Sequence, residues 1–399
     1  MKELYFDNNA STKPSKQVRQ ALWEQRELFG NPSSSYRMGR VAKEQVELAR
    51  QNVASLLNAE PENIFFTSGG TESNNLALKG YLNSLHRHAG QLITSSIEHP
   101  SVLEVMEYYR AKFGYQVEHL PVDREGIVMP EALKARLGRN TKMISIMTAN
   151  NETGSIQPIS EFCGLAQERG IFFHTDAVQA VGKIEIDVKA LGVDALSLSG
   201  HKLNAPKGIG ALYLKTPEKL TPLLHGGKQE KGLRCGTENL MGIIGLGVAC
   251  AEKQAKMQTD LARLKQLRER ILARLPQCKR NGPVDLDKAM PNTLNLQCAG
   301  VRGELLVGYL DQIYSIALSM GSACSANQQK DLSHVLLQMG LSDLEIRSSV
   351  RISMGDDTTE DMVDKLCLAL TEAIDKFSQL LPAQRQKKSD LEQFNAVSS

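Results

Sequence analysis

A lysine that closes an apolar run, with compact polar residues beside it, is placed to form an imine with a carbonyl compound. Residues 197–202 read Ser-Leu-Ser-Gly-His-Lys, and Lys202 ends that run. Alone, such a lysine reads as a solvated strand end. The stretch 171–179, Ile-Phe-Phe-His-Thr-Asp-Ala-Val-Gln, changes the reading, because its apolar half ends in Asp176, about one strand-helix-strand unit before Lys202. An amine that holds an aldehyde and a carboxylate that keeps a pyridine nitrogen protonated are the two groups that pyridoxal phosphate asks of a protein. A third segment, 63–75, runs Asn-Ile-Phe-Phe-Thr-Ser-Gly-Gly-Thr-Glu-Ser-Asn-Asn. It reads as a strand, paired glycines and a helix start, which turns backbone N–H groups and the helix dipole toward an anion. It has neither the lysine of a Walker loop nor a dinucleotide fingerprint, so its anion is not that of a nucleotide-binding loop.

Further motifs follow one another along nearly the whole chain. They are Tyr-Phe-Asp-Asn-Asn-Ala at 5–10, Gly-Asn-Pro-Ser-Ser at 30–34, Glu-His at 98–99, Asn-Asn-Glu-Thr-Gly at 150–154 and Arg-Cys-Gly-Thr-Glu-Asn at 234–239. Gly-Ser-Ala-Cys-Ser at 321–325, Ser-His-Val-Leu at 333–336 and Val-Arg-Ile-Ser at 350–353 complete the series. Together with the three segments above, this order resembles the NifS/IscS-like cysteine desulfurases of the class V aminotransferase family. These are pyridoxal-phosphate enzymes of the aspartate-aminotransferase fold, fold type I. The resemblance implies removal of sulfur from L-cysteine, giving L-alanine and a cysteine persulfide on the enzyme.

The resemblance also assigns roles. Lys202 carries the cofactor, Asp176 meets its ring nitrogen, Gln179 lies near its ring oxygen, and His99 stacks on the ring and moves protons. Gly70, Thr71, Ser199 and His201 correspond to phosphate donors, and Thr237 to one supplied by the other subunit of a homodimer. Asn151 is expected to contact cofactor or substrate, with Asn150 as the competing neighbour. Arg351 is assigned to the substrate carboxylate, since a guanidinium fork matches a carboxylate bidentately. Cys324, in the small and polar stretch 319–330, is the expected nucleophile and could act as a transient iron–sulfur ligand; no resident metal is implied. A free thiol titrates near 8.5, so activation near the site is expected. The implied acceptor is an iron–sulfur scaffold or a thiol carrier, including one for tRNA thiolation. Selenocysteine lyase, or another lyase or aminotransferase of the same fold, is the alternative activity, and a silent sulfur-transfer scaffold the alternative class. Cys235 departs from the family's usual serine or alanine and reads as a small-residue substitution rather than a further reactive thiol.

The elements that position these residues alternate. Strand-like runs at 63–68, 91–96, 142–148, 171–175, 194–199 and 210–215 are separated by helical spacing such as 159–169. This predicts an α/β domain on a mostly parallel sheet, seven-stranded by the resemblance. Thr237 could cap a long helix from 238 to about 275, charged over 252–274 and suited to bridging two domains. Strands near 292–297, 314–318 and 348–353 and a helix near 359–377 predict a smaller α+β domain. The expected division is 15–258 for the large domain, 1–14 with 259–383 for the small one, and a flexible tail at 384–399.

Composition agrees with small-molecule and protein partners. Of 399 residues, 47 are basic and 45 acidic, a net charge of +2. That balance gives no footprint for nucleic acid. The longest apolar run, 241–250, is about half a membrane span, and the N-terminus carries no apolar leader pattern, so a cytoplasmic protein with no membrane association is expected. Seven cysteines, with no Cys-x-x-Cys spacing, argue against a disulfide framework and a self-contained zinc site.

Overall fold

A computed structural model of the chain describes residues 3–85, 89–320 and 332–380. In chain order its strands are β1 (Leu4–Tyr5), β2 (Ile64–Thr67), β3 (Gln91–Ser95), β4 (Gln116–Leu120), β5 (Thr141–Ser145), β6 (Phe172–Asp176), β7 (Ala195–Ser199), β8 (Gly210–Leu214), β9 (Lys279–Asn281), β10 (Thr293–Gln297), β11 (Ile316–Ala317) and β12 (Ser349–Ser353). Seven of them form one sheet in the order β2-β8-β7-β6-β5-β3-β4. All neighbours are parallel except β8, which runs antiparallel to both β2 and β7. The carboxyl ends of β2, β3, β5, β6 and β7 therefore share one edge. In open α/β sheets that edge is where ligands bind.

Burial explains which strands the hydrophobic pattern reveals. Every residue of β2, β6, β7 and β8 is buried, so these strands read as short apolar runs, as strands covered by helices on both faces do. The pattern misses β4 for the complementary reason. It is an edge strand, and unlike β2 at the opposite edge it keeps some exposure at four of its five residues, Gln116, Val117, Glu118 and His119.

The helix Leu240–Arg274 spans 35 residues, roughly 50 Å at 1.5 Å per residue. Its cap corrects the sequence reading: Asn239, not Thr237, accepts the N–H of Gly242. Early in this helix Gly247 lies against the backbone of the helix Arg37–Leu57, and a Cβ there would sit 2.5 Å from Ala49 Cα. Leu246, Ala249 and Cys250 then join the core beneath the large sheet, whereas Leu264, Leu267 and Ile271 join a second core. That second core packs against the antiparallel sheet β12-β10-β9 and the helix Glu360–Leu380. The run 314–318 shortens to β11, which pairs in parallel with β1. Through that pairing the N-terminal segment joins the second core, with Phe6 fully buried in it.

Candidate active site

Asn9 ties the two sheets together where the carboxyl edge of the large sheet meets the N-terminal segment. Its amide donates to Thr293 Oγ1 at 2.9 Å and to the Asn151 carbonyl at 3.1 Å, and its side-chain oxygen accepts from Asn292. Its own carbonyl accepts from Gln179 Nε2 at 3.1 Å and from the Lys202 ammonium, which also donates to the Ala10 carbonyl at 2.8 Å. Beside this knot opens a cavity of about 370 Å³. Its lining brings together Gly70, Thr71, His99, Asn151, Asp176, Gln179, Ser199, His201, Lys202 and Arg351, all expected from the sequence.

Each arrives by a local device. Asp176 and Ser199 end β6 and β7, and Lys202 closes the single turn Gly200–Lys202 that follows β7. Gly70 starts the helix Gly70–Ser84. A Cβ at Gly70 would lie 2.7 Å from Val178 Cγ2, so only glycine lets that helix end approach the cavity. His99 caps the helix Pro100–Phe113: its Nδ1 accepts from the backbone N–H of Ser101 at 3.1 Å. Arg351 projects from the centre of β12, 2 % exposed, with Nη2 2.6 Å from Asp7 Oδ1 and Nη1 donating to the Asn151 carbonyl at 3.1 Å.

The Asn150 alternative separates geometrically. Asn150 is fully buried, its amide given to the Ile97 carbonyl and its oxygen to the N–H groups of Glu152 and Thr153, whereas Asn151 lines the cavity. Cys235 is buried outside the lining. Thr237 does not line this chain's cavity; it is exposed on the segment that Arg234 fastens to Glu72 at 2.9 Å. Cys324 lies outside the described residues, as do the rest of its loop from 321 to 331 and the tail 384–399.

Sequence reasoning missed Asn74, Ser101 and Asp7. Asn74 Nδ2 donates to Asp176 Oδ2 at 2.7 Å and to Ser101 Oγ at 2.8 Å, and Ser101 Oγ lies 2.8 Å from His99 Nδ1. A polar chain thus runs from Asp176 to His99. Its one local signal is that Asn74 follows Gly70 by four residues and so shares its helix face. Since Nδ1 accepts a backbone N–H, the neutral imidazole carries its proton on Nε2. Burial keeps it neutral, lowering its pKa against the raising effect of Asp176, with Lys202 and His334 lowering it further. His201 is held lower still, at about 4, by burial and by Lys202 and Lys207.

Glu98 behaves in the opposite way. It is fully buried, and its carboxyl is pushed up to about 8 by burial, against the hydrogen bonds from Ser95 and Met147, with the charge of Asp176 adding to the rise. A carboxyl raised in the folded state contributes stability that is complete below its unfolded pKa and is lost as pH rises through the folded value. From about pH 4.5 to 8, stability should therefore fall relative to Glu98→Gln by about 1.4 kcal/mol per pH unit. Unfolding midpoints of the two proteins at pH 5, 6.5 and 8 measure this; a gap that stays constant over the series would mean Glu98 is ionised in the fold.

The residues present fit pyridoxal 5′-phosphate. An amine and a carboxylate face one cavity, a helix start without a side chain at Gly70 leaves room for an anion, and the buried Asn74 Oδ1 has no hydrogen-bond partner. The family model for aminotransferase class-V matches residues 4–366. The chain belongs to this family, and its cofactor is pyridoxal 5′-phosphate. Within the family it is similar to a protein named cysteine desulfurase IscS from Clostridium botulinum, 42 % identical over 96 % of each chain. Among solved structures, a NifS-like protein superposes with a TM-score of 0.86 at 35 % identity, covering 94 % of this chain and 99 % of the other. A structure described as SspA in complex with cysteine gives 0.78 at 36 % identity, covering 88 % and 98 %.

Proposed function

We propose that this protein is a cysteine desulfurase, which takes the sulfur of L-cysteine, releases L-alanine and passes the sulfur on through a persulfide on Cys324. The observation that carries the proposal is one cavity in which Lys202 and Asp176 share the lining with a guanidinium fork, within a chain similar over nearly its whole length to cysteine desulfurases. When bound, the cofactor supplies an aldehyde for amines and a protonated ring that takes up electrons.

The chain's own residues do the rest. Asp176 would hold the ring nitrogen, its orientation fixed by the N–H of Val178 at Oδ1 and by the amide of Asn74 at Oδ2. Thr71, Ser199, His201 and the N–H groups at the start of the helix Gly70–Ser84 would take the phosphate, with Thr237 of a second copy completing it in a homodimer. Gln179 has one N–H on the Asn9 carbonyl and its oxygen on Lys183, which leaves its second N–H for the ring oxygen. Asn151 would contact cofactor or substrate. His99 holds a proton on Nε2 for exchange at the substrate. Arg351 would bind the substrate carboxylate, with Asp7 holding one arm of the fork. Cys324 would supply the thiolate that attacks the substrate sulfur.

The division into a large unit, 15–258, and a small one, 1–14 with 259–383, is supported by the two cores, since the second draws on Phe6 and on residues from Leu264 onward. The acceptor would be a thiol protein such as an iron–sulfur scaffold, and the setting cytoplasmic. Among the described residues no helix is long and apolar enough to cross a membrane.

The test is product formation. With L-cysteine and a thiol reductant, the holoenzyme should release alanine and sulfide in equal amounts. Arg351→Ala should raise KM for cysteine by roughly 10- to 100-fold, as expected when a charge-assisted contact of about 1.5–3 kcal/mol is lost. Alanine from selenocysteine but none from cysteine would instead identify a selenocysteine lyase.

A further inference from the structure

Strands β9 and β10 pair antiparallel in the register Asn281↔Asn295, Arg280↔Leu296 and Lys279↔Gln297. One step further, the same register sets Cys278 opposite Cys298, and their sulfurs are 3.2 Å apart. Neither backbone N–H is given to the other residue. That of Cys278 donates to the Leu275 carbonyl, and that of Cys298 to the Ser348 carbonyl. The two residues thus face each other as a non-hydrogen-bonded pair, the arrangement in which Cα atoms typically lie about 4.5 Å apart. A disulfide spans Cα separations of roughly 4.4–6.8 Å, so this backbone accommodates one without rearrangement.

The two thiols are unequal. Cys298 is 1 % exposed in the second core, whereas Cys278 is partly exposed at its margin. The hydrogen bond from the Cys298 thiol lowers the Cys278 pKa against the effect of burial, and the same bond together with burial raises that of Cys298. Cys278 is the thiol placed to meet a reagent from solvent, and Cys298 the one placed to resolve the product.

We propose that Cys278 and Cys298 are a redox modification site, a dithiol that a hydroperoxide converts to a cross-strand disulfide outside the catalytic cavity. The Cys278 thiolate attacks one peroxide oxygen and breaks the O–O bond, becoming a sulfenic acid while the other oxygen leaves as water after protonation. Cys298 then attacks the sulfenic sulfur, the S–O bond breaks, and a second water leaves. Two thiols and one hydrogen peroxide give one disulfide and two waters. The two electrons lost by sulfur reduce the peroxide. Neither cysteine lines the cavity. The bond would brace β10, whose other neighbour is β12, the strand that carries Arg351.

Peptide mapping of the full-length holoenzyme tests this. The reduced protein is treated with equimolar hydrogen peroxide, alkylated with N-ethylmaleimide and digested with trypsin without reduction. Because Lys279, Arg280 and Lys288 lie between the two cysteines, cleavage separates their peptides, and the expected product is the linked pair, lighter than the sum by two hydrogens and parted by dithiothreitol. The oxidised protein should also melt a few degrees higher than the reduced one, as a constrained unfolded chain does. In Cys298→Ala the linked pair should vanish and Cys278 should react with dimedone, the trap for a sulfenic acid. Cys278→Ser, at the more exposed position, serves the same purpose if the buried substitution does not fold. The proposal fails if Cys278 and Cys298 are both alkylated while other cysteines have oxidised, or if Cys278 links to another cysteine as readily as to Cys298.

Discussion

Lys202→Ala should lose the covalently held yellow chromophore and at least about 10³-fold in alanine formation, the scale on which removal of a positioned nucleophile or proton carrier acts. The structure makes the experiment sharper than the sequence does, because Lys202 is not isolated. A small neighbouring cavity of about 20 Å³ is lined by Lys183 and Lys253 as well as by Lys202. Lys253 is paired with Asp356. Lys183 differs. Burial, followed by the charges of Lys202 and Lys253, drives its pKa well below that of an ordinary lysine, and its Nζ sits 3.0 Å from Gln179 Oε1 at the cavity wall. An amine of lowered basicity so placed is the described lysine best placed to substitute. Borohydride treatment of Lys202→Ala followed by peptide mapping should therefore find no cofactor on protein. Cofactor fixed at Lys183, with turnover retained, would remove Lys202 from its assigned role.

Cys324→Ser should abolish formation of a protein persulfide and reduce alanine release to a few per cent or less, while the protein still binds pyridoxal phosphate and cysteine. On the proposed assignment binding would rest on Lys202, Asp176 and Arg351, which the substitution leaves in place; sulfur capture would require a thiolate, which a serine hydroxyl does not replace. Other cysteines are poor substitutes. The thiols of Cys163 and Cys250 are pushed up to about 12 by burial, and that of Cys367 to about 11. Cys278 has a lowered pKa but stands outside the cavity. Mass spectrometry after incubation with cysteine should show an adduct of about 32 Da on the wild-type protein and none on the variant. An adduct at another cysteine, such as Cys235, with normal turnover in the variant would mean that Cys324 is not the nucleophile.

Much of the site was legible because its principal groups sit at ends of elements, where local sequence speaks most clearly. A buried parallel strand is a short apolar run, and the polar residue that ends it faces the ligand edge, which is how Asp176 announces itself; Ser199 ends β7 in the same way, but its role came from the resemblance. Paired glycines before a helix mark the anion cradle at Gly70 for an equally local reason, the room that a missing Cβ leaves. The weaker readings concern elements whose partners are remote. The edge strand β4 shows no apolar run because one side of it meets solvent. Thr237 and Asn239 are both good caps by residue type, and only the backbone's path decides between them.

Composition, strand ends, the glycine pair and the ordered motifs were thus enough to determine the α/β architecture, the cofactor and the residues that meet at the cavity. Which groups stand behind those residues was decided by tertiary structure alone. Asp7 reaches Arg351 across 344 positions because β1 pairs with β11 and the next residues run on beside β12. Asn74 joins Asp176 to Ser101 because the helix starting at Gly70 packs against both β6 and the helix Pro100–Phe113. Cys278 meets Cys298 because a hairpin register happens to oppose them. Hydrophobic periodicity encodes which face of an element is buried, and turn chemistry encodes where it ends. Neither encodes which distant polar partner a buried group will find, since that depends on strand order and register, and these are set by the packing of the whole chain.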